Sequence, residues 1–283
     1  MNIRKETIQE RQNEELMLKI QYVARAKYNS AEKQGNIAWV MCFASAATVF
    51  IPSSLPEMYL IMAPILCDVL ALTASIGQNS LVKTAANYRE YFDACVFDIN
   101  DTPNKTYEND IKEYCMNHSR ECDIQTNNTG LDTPPGVRNW YDLTEVGPND
   151  NAVFECQKQN AWWDEKLSKK RVALLALFII IASVVLVVLW PIIKDTNGVT
   201  RVIFSSAMII KAIERLKAEY EYEVISHKIE GAIGNMSVGL SEENVLDLQK
   251  WINEKRHCNV VGMDILHKKL ARSLSKTYQT ISK

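Results

Sequence analysis

Three groups of side chains in this chain have types and spacings that chemistry can use. Asp68 stands near the centre of an otherwise apolar stretch, Met58 to Ile76. An ionisable group at mid-bilayer costs roughly 2.5–3.5 kcal/mol on insertion scales, so it belongs at a helix interface or a wet cavity, not against lipid. Asp68 is therefore a candidate pore-lining or gating residue; its plainer role is a protonated or hydrogen-bonded group between helices. Trp140, Tyr141, Trp162 and Trp163 accompany Arg138, Lys158 and Lys166. Aromatic planes beside cations stack nucleobases and hold phosphate, which makes Arg138, Trp140, Tyr141, Lys158 and Trp163 ligand-sensing candidates. The same residue types serve equally as core packing and membrane-interface anchors. Cys115, His118 and Cys122 offer two thiols and an imidazole to zinc, with Cys156 as a fourth ligand. Against a metal, the spacing is not that of a standard finger, and Asn117, Ser119 and Arg120 read as a solvated helix. No P-loop, GxGxxG, HExxH or GxSxG occurs, and His118, His227, His257 and His267 join no nucleophile–base arrangement. No enzyme and no resident cofactor are expected.

The elements that must position these groups are membrane helices. The chain has 283 residues, a net charge of −2 and a mean hydropathy of −0.15, close to soluble values, but its apolar residues are bunched. A bilayer core about 30 Å thick needs about 20 apolar residues as helix. Val172 to Trp190 is an unbroken uncharged run of that length without the polar face of a buried soluble helix. Met58 to Ile76 is long enough despite Asp68 and Pro64. Ile37 to Ile51 is short, with Trp39 near its start as an interfacial anchor. These two form a hairpin turning at Pro52 to Pro56. Val199 to Ile210 is the fourth candidate span; it is short, carries Arg201, and has an interfacial or buried helix as its alternative. Three or four spans are thus expected.

Lys and Arg orient them. Arg25, Lys27 and Lys33 precede the first span, Lys169, Lys170 and Arg171 abut the third, and Lys211, Arg215 and Lys217 follow the fourth; the hairpin loop has none. The positive-inside rule puts all these flanks, and both termini, in the cytoplasm. The charged N-terminal stretch is not a signal peptide. Cys95, Cys115, Cys122, Cys156 and Cys258 then face a reducing compartment, and the sequons at Asn104, Asn117 and Asn127 lie on the wrong side for glycosylation.

The pattern reads as an all-α integral membrane bundle with a helical cytoplasmic layer, in five segments. Residues 1–36 form a cytoplasmic amphipathic helix with an apolar stripe at Leu16, Ile20, Val23 and Ala31. Residues 37–82 form the hairpin. Residues 83–171 are a cytoplasmic helical region in which Tyr88, Phe92, Cys95 and Val96 share a face, interrupted by an irregular loop with short helices over 99–150. Residues 172–212 hold spans three and four. Residues 213–283 are a helical tail in which Ser241 caps one helix and Leu266, Leu270 and Leu274 mark the last, whose basic face is suited to solvent or anionic lipid.

Several short motifs carry a resemblance. Arg11-Gln12-Asn13 precedes the hairpin; Phe92-Asp93 and Val96-Phe97 follow it. The variable loop ends in Trp140-Tyr141. Cys156-Gln157, Asn160, Trp163-Asp164 and Leu167 lead into the third span, and Leu248-Gln249, Ile252 and Arg256 close the pattern. In this order the chain resembles the four-transmembrane effector family associated with second-messenger oligonucleotide or dinucleotide synthetases. The resemblance implies a bacterial anti-phage effector in the inner membrane. A partner nucleotidyltransferase makes a cyclic nucleotide on infection; the effector then oligomerises with its own copies and permeabilises the membrane. The partners so implied are lipid, the messenger and further copies of the chain, with no nucleic acid. Two other classes stay open at this point: a membrane scaffold recruiting cytoplasmic proteins, and a membrane enzyme without a recognisable motif.

Overall fold

The structure is a computed structural model that describes residues 7–48, 56–99, 105–141, 150–193, 196–236 and 241–260. Among these residues every regular element is an α-helix: α1 Ile8–Gln12, α2 Glu15–Ala47, α3 Glu57–Phe97, α4 Lys105–Asn117, α5 Ser119–Asn127, α6 Asp150–Ile193, α7 Thr196–Met236 and α8 Glu242–His257. Of the amphipathic helix expected to run through residues 1–36, the described part from residue 7 on is two pieces. Thr7 and Glu10 cap α1 reciprocally in a capping box, and the chain breaks at Asn13 before α2 begins. From there α2 runs unbroken from charged sequence into the apolar stretch. α3 likewise carries both Met58 to Ile76 and the Tyr88–Phe92–Val96 face on one rod, with Pro64 inside it. At 1.5 Å per residue α3 is about 60 Å long, twice a bilayer core. α4 and α5 are the short helices of the variable region. Ser241 caps α8, its hydroxyl accepting from the Asn244 amide at 3.3 Å. The expected helix with Leu266, Leu270 and Leu274 lies outside the described residues.

The five segments regroup into two compact units. One comprises residues up to Asn29 with Leu81–Asp164 and Ile225–His257; the other comprises Ser30–Ser80, Glu165–Val224 and the residues from Cys258. Each of the four long helices therefore lends one stretch to each unit.

The first unit has an ordinary apolar core. Ile20, Tyr22 and Val23 of α2, Phe92 and Val96 of α3, Ile111 of α4, Tyr141 and Cys156 pack into one cluster; Phe154, Ile229, Leu248 and Ile252 form a second. Burying each such side chain fully is worth about 1.5–3 kcal/mol.

The second unit is inverted in character. Its helices meet in one polar storey. Gly35 of α2 lets Gln78 of α3 approach so closely that a Cβ there would stand 2.7 Å from Gln78 Oε1. Gln78 Nε2 donates to Asn259 Oδ1 at 3.1 Å, and Arg215 of α7 donates to the Asn259 carbonyl at 3.2 Å. Arg215 and Arg171 of α6 converge on Glu219, at 2.6 and 2.8 Å, in an ion triad whose carboxylate has no exposed surface. Beside it a cavity of about 170 Å³ is lined by Glu32, Gln78, Lys211 and Glu214 among others. One turn on from Gly35, Trp39 and Phe43 pack edge-on against Phe178 at 5.8 and 5.9 Å. To one side of this storey large apolar side chains point outward: Val40 and Phe43, then Met58, Leu66, Leu72 and Ile76, then Leu177, Ile180, Val184 and Val188, and Ile210. Among the described residues, Met58–Phe97 is the one helix long and apolar enough to cross a membrane.

Candidate ligand-sensing site

In the first unit the short motifs, far apart in sequence, meet around one carboxylate. Phe92 and Asp93 are neighbours on α3: Phe92 enters the apolar core, and Asp93, 1% exposed, turns toward α8 and the loop before α6. Tyr141 Oη donates to Asp93 Oδ1 at 2.9 Å; Gln249 Nε2 and Arg256 Nη1 donate to Oδ2 at 2.9 and 2.6 Å. Gln157 of α6 extends the chain, its Nε2 donating to Gln249 Oε1 at 2.9 Å and to the Val245 carbonyl at 3.2 Å. A buried carboxylate holding three donors is fixed in place, so Asp93 is a hub that orders four elements.

The Arg11-Gln12-Asn13 motif has a local task here. The Gln12 amide brackets Tyr141, its Oε1 accepting from the Tyr141 amide at 2.8 Å and its Nε2 donating to the Tyr141 carbonyl at 3.1 Å. Asn13 does the same for Asn139, accepting from its amide at 3.1 Å and donating to its side chain at 2.8 Å. Asn139 sits at φ 52°, the left-handed region that asparagine tolerates better than most residues. Trp140, between the two clamped residues, is thereby fixed in place while staying 37% exposed. Gly136 is required upstream: a Cβ there would meet the Asn128 carbonyl oxygen at 1.9 Å.

Arg89, one turn before Asp93 on α3, lies over the Trp140 ring at 4.1 Å and is 9% exposed. Burial, and then the charge of Arg256, pull its pKa down to about 10. Arg256 is moved the other way: burial opposes its charge, but Asp93 more than compensates. Two guanidinium groups thus share one carboxylate, and Asp93 holds Arg256. The arrangement offers no proton transfer or nucleophile; it offers a cation and an aromatic plate.

Of the ligand-sensing candidates, Trp140 and Tyr141 are at this site, with Tyr141 inside the core and Trp140 at the surface. Arg138 is turned away, its Nε donating to the Thr126 carbonyl at 3.3 Å. Lys158 pairs with Glu155 at 3.5 Å on an exposed face. The side chain of Trp163 lies outside the described residues. Arg89, Asp93, Gln249 and Arg256 were not among the candidates. Asp93, Gln249 and Arg256 stood in the motifs, but Arg89 had no signal beyond its place one turn before Asp93. Cys115 and Cys122 come together with their thiols hydrogen-bonded, and burial pushes the Cys115 thiol up to about 12. His118 does not join them: it stacks on Tyr114 at 4.3 Å with Nδ1 at the Tyr114 carbonyl. Among the described residues no three His, Cys, Asp or Glu side chains converge as metal ligands. Asp68, in the second unit, is half-buried on α3, and its Oδ1 is shielded with no hydrogen-bond partner among the described residues.

A family model described as the SMODS-associating 4TM effector domain matches residues 6–205. No curated protein and no solved structure matches the chain.

Proposed function

Because the chain belongs to the SMODS-associating 4TM effector family, we propose that it is the membrane-damaging arm of an anti-phage signalling system in the bacterial inner membrane. A partner SMODS nucleotidyltransferase makes the nucleotide messenger; copies of this chain then oligomerise and permeabilise the bilayer. The chain acts by rearrangement, not by catalysis. The observation that carries the membrane half of this reading is the polar storey of the second unit. The Arg171–Glu219–Arg215 triad ties the base of α6 to that of α7. From that base, Val172 to Ile193 and Thr196 to Ala218 are arms of nearly equal length, about 33 and 35 Å as helix. Two arms of bilayer length joined at the base support two full spans, the weak Val199 to Ile210 segment included. With α2 and α3 they make four, and an even number keeps both termini in the cytoplasm.

Sensing belongs to the first unit, where the family's motifs converge. Asp68 stands about 15 Å along α3 from Gln78, inside the spanning stretch, and serves the conducting state. A ligand shifts the resting equilibrium only by its differential affinity for the two states, so a modest bias toward the closed state suffices for control.

The test is dye release from liposomes holding the full chain, together with leakage of cells co-expressing the partner synthetase. Synthetase-dependent leakage that Asp68→Leu alters without lowering membrane insertion is the expected result. Membrane-inserted protein that recruits cytoplasmic proteins yet never leaks dye would replace this reading with a scaffold.

A further inference from the structure

Arg89 is a cost without a structural return. It is nine-tenths buried, and among the described residues it makes no ion pair or hydrogen bond at contact distance; the charge of Asp93 reaches it only through space. Of the two acids nearest it on α3, Asp93 is spent on Arg256, Gln249 and Tyr141, and Glu90 is turned out to a half-exposed position 3.6 Å from His257. A buried charge left unmatched, with a second guanidinium beside it, destabilises the fold. Its guanidinium lies over the Trp140 ring, itself held by the Gln12 and Asn13 clamps and still open to solvent.

Resting on the effector role above, we propose that Arg89 and Trp140 form the anchor of a binding site for a phosphorylated ligand with a planar ring. Arg89 takes one phosphate and Trp140 stacks the ring. One cation in excess matches one phosphate group; Arg256 stays with Asp93 and completes the wall. A guanidinium presents its donors in a fork that fits phosphate oxygens, and indole accepts any nucleobase face, so this site alone does not choose the base. Both a soluble nucleotide and a phospholipid headgroup carry the phosphate; only the nucleotide carries the ring.

The experiment is binding by the full chain in detergent, read by calorimetry. The probes are a panel of cyclic di- and trinucleotides, the matching nucleosides without phosphate, and short-chain phosphatidylglycerol. At least one cyclic nucleotide should bind, and nucleosides should not. Arg89→Gln should weaken binding by about tenfold or more and Trp140→Ala by about tenfold. Arg89→Lys, which keeps the charge but not the fork, should fall between. Arg89→Gln should keep or raise the thermal midpoint, since it removes an unmatched charge; a purely structural arginine would lower it. Unchanged affinity in Arg89→Gln overturns the site, and so does a lowered midpoint that accounts for the loss. Arg89-dependent binding of phosphatidylglycerol with no nucleotide bound overturns the stacking assignment. The effector role fails separately: synthetase-triggered leakage with no nucleotide bound sinks the site and leaves the role, whereas Arg89-dependent binding without leakage sinks the role and leaves the site.

Discussion

Asp93 sets what a single residue can decide in the first unit. Its carboxylate is the shared acceptor for Tyr141, Gln249 and Arg256, and its charge acts on both members of the arginine pair at 89 and 256. Asp93→Asn keeps the shape and removes the charge. It should cost about 3 kcal/mol, the usual result of stranding one partner of a buried pair. Adding Arg256→Gln should recover part of that loss, because the stranded charge goes with it. Thermal midpoints of the two single variants and the double variant measure this. Additive losses would mean that Asp93 and Arg256 do not act as a pair. Arg89, by contrast, gives up stability at the same spot, which fits a group waiting for a ligand rather than one holding the fold together.

At the scale of the element, the helix crossing at Gly35 is the sharpest constraint. Gln78 Oε1 occupies the space of a side chain at 35, and its amide is already committed to Asn259. Gly35→Ala must displace that amide and should cost about 1–3 kcal/mol through overpacking. Gly231 on α7 meets nothing within 4 Å. Gly231→Ala should therefore stabilise by about 0.5–1 kcal/mol through helix propensity alone. Differential scanning fluorimetry of the solubilised variants should move the two midpoints in opposite directions; a rise for Gly35→Ala would refute the close crossing. Glu219 gives a second element-level test. Glu219→Gln leaves Arg171 and Arg215 facing each other inside the bundle and should cost about 3–5 kcal/mol, seen as a lower midpoint and a higher susceptibility to protease at the base of α6 and α7.

For the whole molecule the test is topology. Single cysteines introduced into a cysteine-free background at Ser54 and Asp195 should react with a membrane-impermeant maleimide in intact cells. Cysteines at Asn2 and Lys283 should react only after lysis. Labelling of Lys283 from outside, with Asn2 protected, would mean an odd number of spans and would remove the α6–α7 arm pair as two crossings. The outward-facing apolar side chains of the second unit need a cover of their own. Leu66, Leu72, Ile180 and Val188 are each more than half exposed, and such a surface is stable only against lipid or another protein.

The sequence by itself determined the helical class, the bunching of apolar residues into bilayer-length runs, and the short motifs on which the resemblance rests. These are local properties. Hydrophobic runs, the Thr7–Glu10 capping box and the Ser241 cap act over a few residues and need no partner from elsewhere in the chain. Only the tertiary structure decided what the motif residues do. Asp93 and Arg256 are 163 positions apart and Gln12 and Tyr141 are 129 apart, and no periodicity links them. Arg171 and Arg215 read as flanks that orient spans, yet the fold turns both inward onto Glu219, because a charge buried at a helix crossing must find its opposite there. Arg138 and Lys158 had the right types for a ligand site, but a backbone carbonyl and a neighbouring glutamate hold them elsewhere. Arg89 was invisible for the converse reason: a lone arginine on a helix is ordinary until packing closes over it and leaves it unmatched.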